Sequence, residues 1–539
     1  MATTTTTTPT PTPAAVLRQH LALIPRKDGG SAQEASVPGI DPVRLEEVRN
    51  APLFSAQVKT FLELSGAETG AVYPQYGLMG LRLESDAGGE ERVGSEETST
   101  DNLVYANIMT PWSAFICGSQ GSGKSHTLSC LLENALLLPS RVGNLSRPLA
   151  AIVFHYDRFT GFSSTQLCEA AYLCSAGIPV RVLVSPSNFA AMKKLYGNMP
   201  GMPSKGRKPE VVPLFFRAGD LKISMMKTLM AVGDETPLYM EVVTKILRGM
   251  AREAQSAGFD YARFKKLLDS ESFVRGQMGP LNLRLQLLES FLQQGKKSTG
   301  PGDLWSFKPG TLTIVDLSCP FVEEADACAL FNICLSLFLE RRSEGGRLVA
   351  LDEAHKFLST KTAEAAGFTD TLLALIRQQR HLATRVVIAT QEPTLSPSLL
   401  DLCTVTIVHR FTSPAWYRIL EHHLAGALLG KRRRSGAADD ATDLFDRIVR
   451  LGTGEALLFC PTAMLDVVVV DDVDVDASRV SNGSSAATPE HGEEDTDTAS
   501  SSSSVALASK AVRELGTRYV TVKVRQRVTA DGGRSILAE

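Results

Sequence analysis

Residues 113–136 read "SAFICGSQGSGKSHTLSCLLENAL", and this stretch limits the possible folds more than any other. Gly118 to Ser125 match G-x-x-x-x-G-K-[ST], a loop whose backbone N–H groups turn inward around phosphate oxygens. "SAFIC" before the loop is a short apolar strand. After it, Leu128, Leu131, Leu132 and Leu136 repeat at helical spacing. Strand, glycine-rich loop and helix together predict a phosphate site at a helix N-terminus, where the helix dipole adds positive charge. The expected nucleotide contacts are Gly118, Ser119, Gln120, Gly121, Ser122, Gly123, Lys124, Ser125 and His126. Lys124 reaches the outer phosphates, and Ser125 ligates Mg²⁺.

The stretches 150–156, 180–184, 311–317, 347–352, 385–390, 405–410 and 455–460 are near-continuous apolar runs, separated by helical patterns. Such runs predict an α/β fold with a mostly parallel, RecA-like P-loop sheet covered on both faces by helices. Residues from about 219 to 295 break the alternation. Val243, Ile246, Leu247 and Met250 form a helical stripe there, so this stretch reads as an all-helical insert.

The division expected from this pattern puts the P-loop domain at 103–475. A Thr/Pro tail (1–15) and a Ser/acidic linker (476–504) hold too little apolar material to fold. Residues 16–102 form a poorly defined N-terminal segment with two short helical stretches. Residues 505–539 read as a short helix followed by a basic strand or hairpin.

A P-loop needs a carboxylate at the end of a neighbouring strand to hold its metal. Asp316 ends one candidate strand without a second acid. Asp352 ends another and is followed at once by Glu353, which divides the work. Asp352 holds Mg²⁺, and Glu353 orients or deprotonates the attacking water. A strand should also bring a polar side chain to the γ-phosphate, and "RVVIATQEP" supplies Gln391. The expected catalytic set is therefore Glu353, Gln391 and Lys124, with ATP and Mg²⁺ as cofactors. Arg377, Arg380, Arg385 and Arg410 are four candidates for an arginine acting on the transferred phosphoryl group, and sequence does not choose among them.

Composition limits the partners. The 539 residues carry a net charge of −3, so no global basic field points to nucleic acid. "KRRR" at 431–434 is the one dense basic cluster. Nine scattered cysteines with no C-x-x-C pair read as reduced thiols. With no signal-like N-terminus and no long apolar run, the expected location is cytoplasmic or nuclear.

"GSQGSGKSHT", "TIVDLS", "LVALDEAHKFL", "VVIATQEPTLSP" and "GEALLFCP" occur in that order. Together they resemble the HerA/FtsK branch of the additional-strand, catalytic-glutamate P-loop ATPases, and HerA-like ATPases most of all. The resemblance spans roughly residues 103–470. It implies ATP hydrolysis by a homo-oligomer, often a hexameric ring with sites at subunit interfaces, and DNA as a candidate substrate to be moved. HerA proteins usually carry an N-terminal β-barrel, and residues 1–102 do not read as one. A scaffold or switch that binds ATP and acts on a protein partner is the alternative. "DEAH" alone also suits a two-lobed helicase, but too little chain follows Gln391 for a second lobe.

Overall fold

A computed structural model gives the structure of the chain. It describes residues 42–65, 72–85, 100–158, 166–203, 206–222, 225–226, 238–253, 259–273, 276, 278–292, 304–341, 345–358, 362–393, 395–424, 440–470 and 509–532. The tail at 1–15, the linker at 476–504 and the "KRRR" cluster lie outside the described residues.

The N-terminal segment folds as α1 (Pro42–Arg49), β1 (Leu53–Ser55), α2 (Ala56–Leu64), β2 (Tyr76–Ser85) and β3 (Leu103–Asn107). Ser55 starts α2 as an N-cap, its hydroxyl accepting from Val58 N–H at 3.2 Å. Next come β4 (Ser113–Cys117), α3 (Lys124–Leu136), β5 (Gly143–Asn144), β6 (Ala150–His155), β7 (Val180–Val184), α4 (Phe189–Gly197) and β8 (Glu210–Pro213). The helical insert holds α5 (Leu238–Glu253), α6 (Tyr261–Asp269) and α7 (Met278–Phe291). After it the strands β9 (Leu312–Asp316), β10 (Arg347–Leu351), β11 (Thr384–Thr390) and β12 (Val405–His409) alternate with α8 (Glu324–Glu340), α9 (Ala363–Arg377) and α10 (Pro397–Leu402). The chain continues through α11 (Pro414–His423), α12 (Asp440–Arg450), β13 (Glu455–Phe459), β14 (Met464–Val470), β15 (Ser509–Glu514) and β16 (Tyr519–Val524).

One sheet joins these strands in the order β15-β14-β1-β3-β2-β16-β13-β12-β4-β11-β10-β6-β9-β7-β8. From β12 to β8 every neighbour pair is parallel. Their side chains alternate between two cores, as a pleated strand buried on both faces requires. On β4, Phe115 enters the core with α8, α9 and the insert's Val243, Ile246, Leu247 and Met250. Ala114 and Ile116 enter the opposite core, with Leu128, Leu131 and Leu132 of α3. Phe154 and Phe331 pack with ring centres 5.0 Å apart in the first core.

The C-terminal stretch departs from the helix expected near residue 510. Residues 509–514 form β15, because they pair with β14 and send Val512 into a third core beside Leu45, Phe54 and Val58. Pairing with a neighbour here outweighs local propensity. β16 lies between β13 and β2 and hydrogen-bonds to both. The N-terminal strands are thus joined to the parallel sheet through a strand from residues 519–524. Among the described residues no helix is long and apolar enough to cross a membrane.

Candidate functional site

The parallel strands end on one edge, and that edge gathers the candidate site. β4 ends at Cys117 and leads into the glycine-rich loop. β11 lies beside it and ends at Thr390, with Cys117 and Thr390 in register. β10 lies beyond β11 and leads into Asp352 and Glu353. One strand, β11, therefore separates the loop strand from the acidic strand, which is not the immediate neighbour expected from the sequence.

Positive φ angles at Gly118 (153°), Gly121 (73°) and Gly123 (115°) shape the loop. Two of these glycines also have no room for a side chain. A Cβ on Gly118 would lie 2.7 Å from the His409 Cβ, and one on Gly123 3.2 Å from the Gly454 backbone. The loop is braced from outside. Ser119 donates through N–H and Oγ to the Arg410 carbonyl, at 2.9 and 2.8 Å. Gly454 N–H donates to the Ser122 carbonyl at 3.2 Å. His409 donates Nδ1–H to the Glu455 carbonyl and accepts the Thr127 hydroxyl at Nε2, each at 2.9 Å. Burial pulls His409 down to about 4, so it stays neutral as this role requires.

Lys124 is buried at the first position of α3, and its ammonium donates to the Ser119 carbonyl at 2.9 Å. Burial lowers its pKa, while the charges of Glu353 and Asp352 work in the opposite direction. Ser125 is half-buried on the same first turn, and Gln120 is exposed at the loop's tip. The His126 ring turns away from the loop, with Nε2 2.8 Å from the Arg525 carbonyl. Its side chain is engaged there.

The two aspartates weighed from sequence sit in different surroundings. Asp316 is fully buried and saturated: Tyr196 O–H donates to Oδ2 at 2.5 Å, and Ser318 N–H to Oδ1 at 3.0 Å. Asp352 is equally deep, yet its Oδ1 has no hydrogen-bond partner. Glu353 is held at φ 52°, a left-handed conformation that is unfavourable for a residue with a Cβ, and its buried Oε2 also lacks a donor. Gln391 Nε2–H donates to Glu353 Oε1 at 3.3 Å. The Gln391 N–H meets His355 Nδ1 at 3.4 Å. Burial holds His355 below the ordinary histidine value despite the Glu353 charge, so Nδ1 is free to accept. Lys124, Asp352, Glu353 and Gln391 thus come together at one edge. Asp352 keeps a buried carboxylate oxygen without a partner, and Ser125 carries a hydroxyl on the first turn of α3; both are oxygen donors of the kind that Mg²⁺ takes.

The arginine candidates separate by position. Arg385 is buried at the far end of β11, where its guanidinium donates to the Ile108 carbonyl, and burial lowers its pKa to about 10. That arrangement removes it from the candidates. Arg377 is exposed at the last position of α9, Arg380 is exposed just beyond it, and Arg410 is exposed beside Ser119.

Two groups near the site gave no signal in the sequence. Glu169 is pushed up to about 7 by burial and by the Asp352 charge, with the Arg527 guanidinium opposing at 3.5 Å. The other is the strap at 525–532, which crosses α3. Arg525 donates to Glu133 Oε2 at 2.7 Å, and Thr529 donates through N–H and Oγ1 to Glu133 Oε1 at 2.9 and 2.6 Å. An apolar helical stripe interrupted by a buried glutamate, as in α3, is the sequence sign of such a partner.

No protein-family model matches the chain, and no curated protein matches it. Among solved structures, VirB4 of Thermoanaerobacter pseudethanolicus matches with 15% identity and a TM-score of 0.43, over 71% of this chain and 94% of that one. The genome packaging NTPase B204 from Sulfolobus turreted icosahedral virus 2, solved with ATP-gammaS, matches with 9% identity and a TM-score of 0.25, over 65% of this chain and 92% of that one. The DNA-packaging ATPase B204 from Sulfolobus turreted icosahedral virus matches with 12% identity and a TM-score of 0.20, over 52% and 92%.

Proposed function

We propose that this chain is a Mg²⁺-dependent ATPase of the HerA/FtsK kind, converting ATP and water to ADP and phosphate. The contact between Gln391 Nε2 and Glu353 Oε1, where β11 and β10 end next to each other beside the glycine-rich loop strand, carries the reading. Loop N–H groups and Lys124 hold the phosphates, and Lys124 exchanges its Ser119 carbonyl for phosphate oxygens. Ser125 and Asp352 would hold Mg²⁺, which when bound would supply neutralisation of the charge that develops on the phosphates. Glu353 takes the proton from the attacking water, and Gln391 orients that water and reports the γ-phosphate.

The sequence resemblance supports an oligomeric ring that moves DNA, with Arg377, Arg380 or Arg410 reaching a neighbour's site. The net charge of −3 favours the second reading, a nucleotide-driven switch acting on protein. Steady-state ATPase assays on the native chain and on Glu353→Gln, with and without double-stranded DNA at several salt concentrations, test both. Hydrolysis that depends on Glu353 and rises with DNA in a salt-sensitive way supports the DNA motor. Glu353-dependent hydrolysis indifferent to DNA supports the switch. ATP binding without turnover in either protein would sink the catalytic assignment.

A further inference from the structure

Asp352 has a second set of neighbours that the ATPase reading does not use. Its Oδ2 lies 3.3 Å from His155 Nδ1 and 3.8 Å from Cys168 Sγ. The three donor atoms lie within 4.8 Å of one another, and all three residues are buried. We propose that His155 Nδ1, Cys168 Sγ and Asp352 Oδ2 form a site for Zn²⁺ or a similarly soft divalent ion, which ties up the aspartate that Mg²⁺ needs.

Donor chemistry separates this site from its neighbour. Mg²⁺ takes oxygen ligands, whereas a thiolate, an imidazole and a carboxylate together select zinc. Tetrahedral zinc with bonds of about 2.0–2.3 Å requires donors about 3.3–3.7 Å apart, and the two spacings made by Asp352 Oδ2, at 3.3 and 3.8 Å, come close to that.

The ligands are also oriented by their surroundings. His155 Nε2 faces the Gln166 carbonyl at 3.3 Å, so the ring N–H goes there and Nδ1 keeps its lone pair for a metal. The Gln166 side chain is tied by Lys356 at 3.1 Å. Cys168 N–H donates to Tyr196 Oη at 3.2 Å, and that hydroxyl is anchored on Asp316. The His155 ring and the Cys168 backbone thus each have their own support.

The thiolate is the ligand form of cysteine, so binding releases the Cys168 thiol proton. One thiolate and one carboxylate then balance the ion's charge. An ion on Oδ2 drains charge from the carboxylate, so Mg²⁺ is held more weakly while the P-loop still takes nucleotide. That inhibitory consequence rests on the ATPase reading; the metal site itself does not.

The test is titration of the full-length, metal-stripped chain with Co²⁺, followed by displacement with Zn²⁺, read by thiolate-to-cobalt absorption and by calorimetry. One equivalent is expected to bind with a thiolate band, and Cys168→Ser is expected to weaken binding at least tenfold. Cys168→Ser should keep its Mg²⁺-dependent ATPase and lose its sensitivity to Zn²⁺. Absence of the band, or a band unchanged in Cys168→Ser, overturns the site. A band lost in the variant, from a native chain that does not hydrolyse ATP, upholds the site and overturns the ATPase reading instead. Should Cys168→Ser melt early, His155→Gln carries the same comparison.

Discussion

Glu133 and the Asp352–Glu353 pair are buried carboxylates a short way apart, at the middle of the P-loop helix and at the loop's mouth, yet they are built in opposite ways. Glu133 accepts from Arg525, from Val528 N–H and from Thr529 through both N–H and hydroxyl, and neither oxygen is left over. Asp352 and Glu353 each keep one buried oxygen with no donor. A saturated buried carboxylate holds a fold together. One left unsatisfied costs stability and persists where a ligand or a proton transfer uses it. Asp316, with a donor on each oxygen, belongs with Glu133.

Substitutions on the two sides should fail differently. The largest effect is expected at Glu353→Gln, with kcat lower by about 10²–10⁴-fold and ATP binding retained; equilibrium nucleotide binding beside single-turnover hydrolysis separates the two. Glu133→Ala leaves the Arg525 guanidinium buried without its carboxylate, and unfolding free energy should fall by about 3–5 kcal/mol. Denaturant unfolding measures it, and a loss below 1 kcal/mol would break the contrast. Gln391→Ala should reduce kcat by about 10²-fold with little change in melting temperature. Asp316→Asn reverses that pattern, lowering stability by about 1–3 kcal/mol while folded protein keeps its turnover and its Mg²⁺ requirement.

The smallest effect is one of pH. Burial alone would raise the Glu133 carboxyl, but the Thr529 and Arg525 hydrogen bonds outweigh it and leave the pKa below the ordinary value. A depressed folded pKa adds stability above the unfolded value of about 4.3, and that stability is lost as pH falls through the lower folded value. Melting temperature should therefore gain no slope from this group between pH 5 and 8. Below about pH 4 it should fall more steeply in the native chain than in Glu133→Gln.

The same contrast explains what could be read from sequence. Glycine-rich loop, buried strands and insert stripe were legible because each is a local pattern: Gly118 to Ser125 by spacing, Val243 to Met250 by period. Asp352 could be preferred to Asp316 because Glu353 follows it directly. Glu169, Cys168, His155 and Arg527 were not legible, since their meaning comes from contacts between residues far apart in the chain. Ser509–Glu514 was misread as a helix because β14, its pairing partner, lies across a long linker.

β16 also sets an order for assembly. β2 and β13 meet only through residues 519–524, so the sheet stays in two pieces while a growing chain is still short of that strand. Glu133 likewise waits for Arg525 and Thr529. Loops this long are slow to close, and synthesis delivers their far ends last. The P-loop helix therefore receives its brace only once residues 525–529 have been made. Until then Glu133 lacks these donors, and the β2 and β13 edges stay open to pairing with other chains.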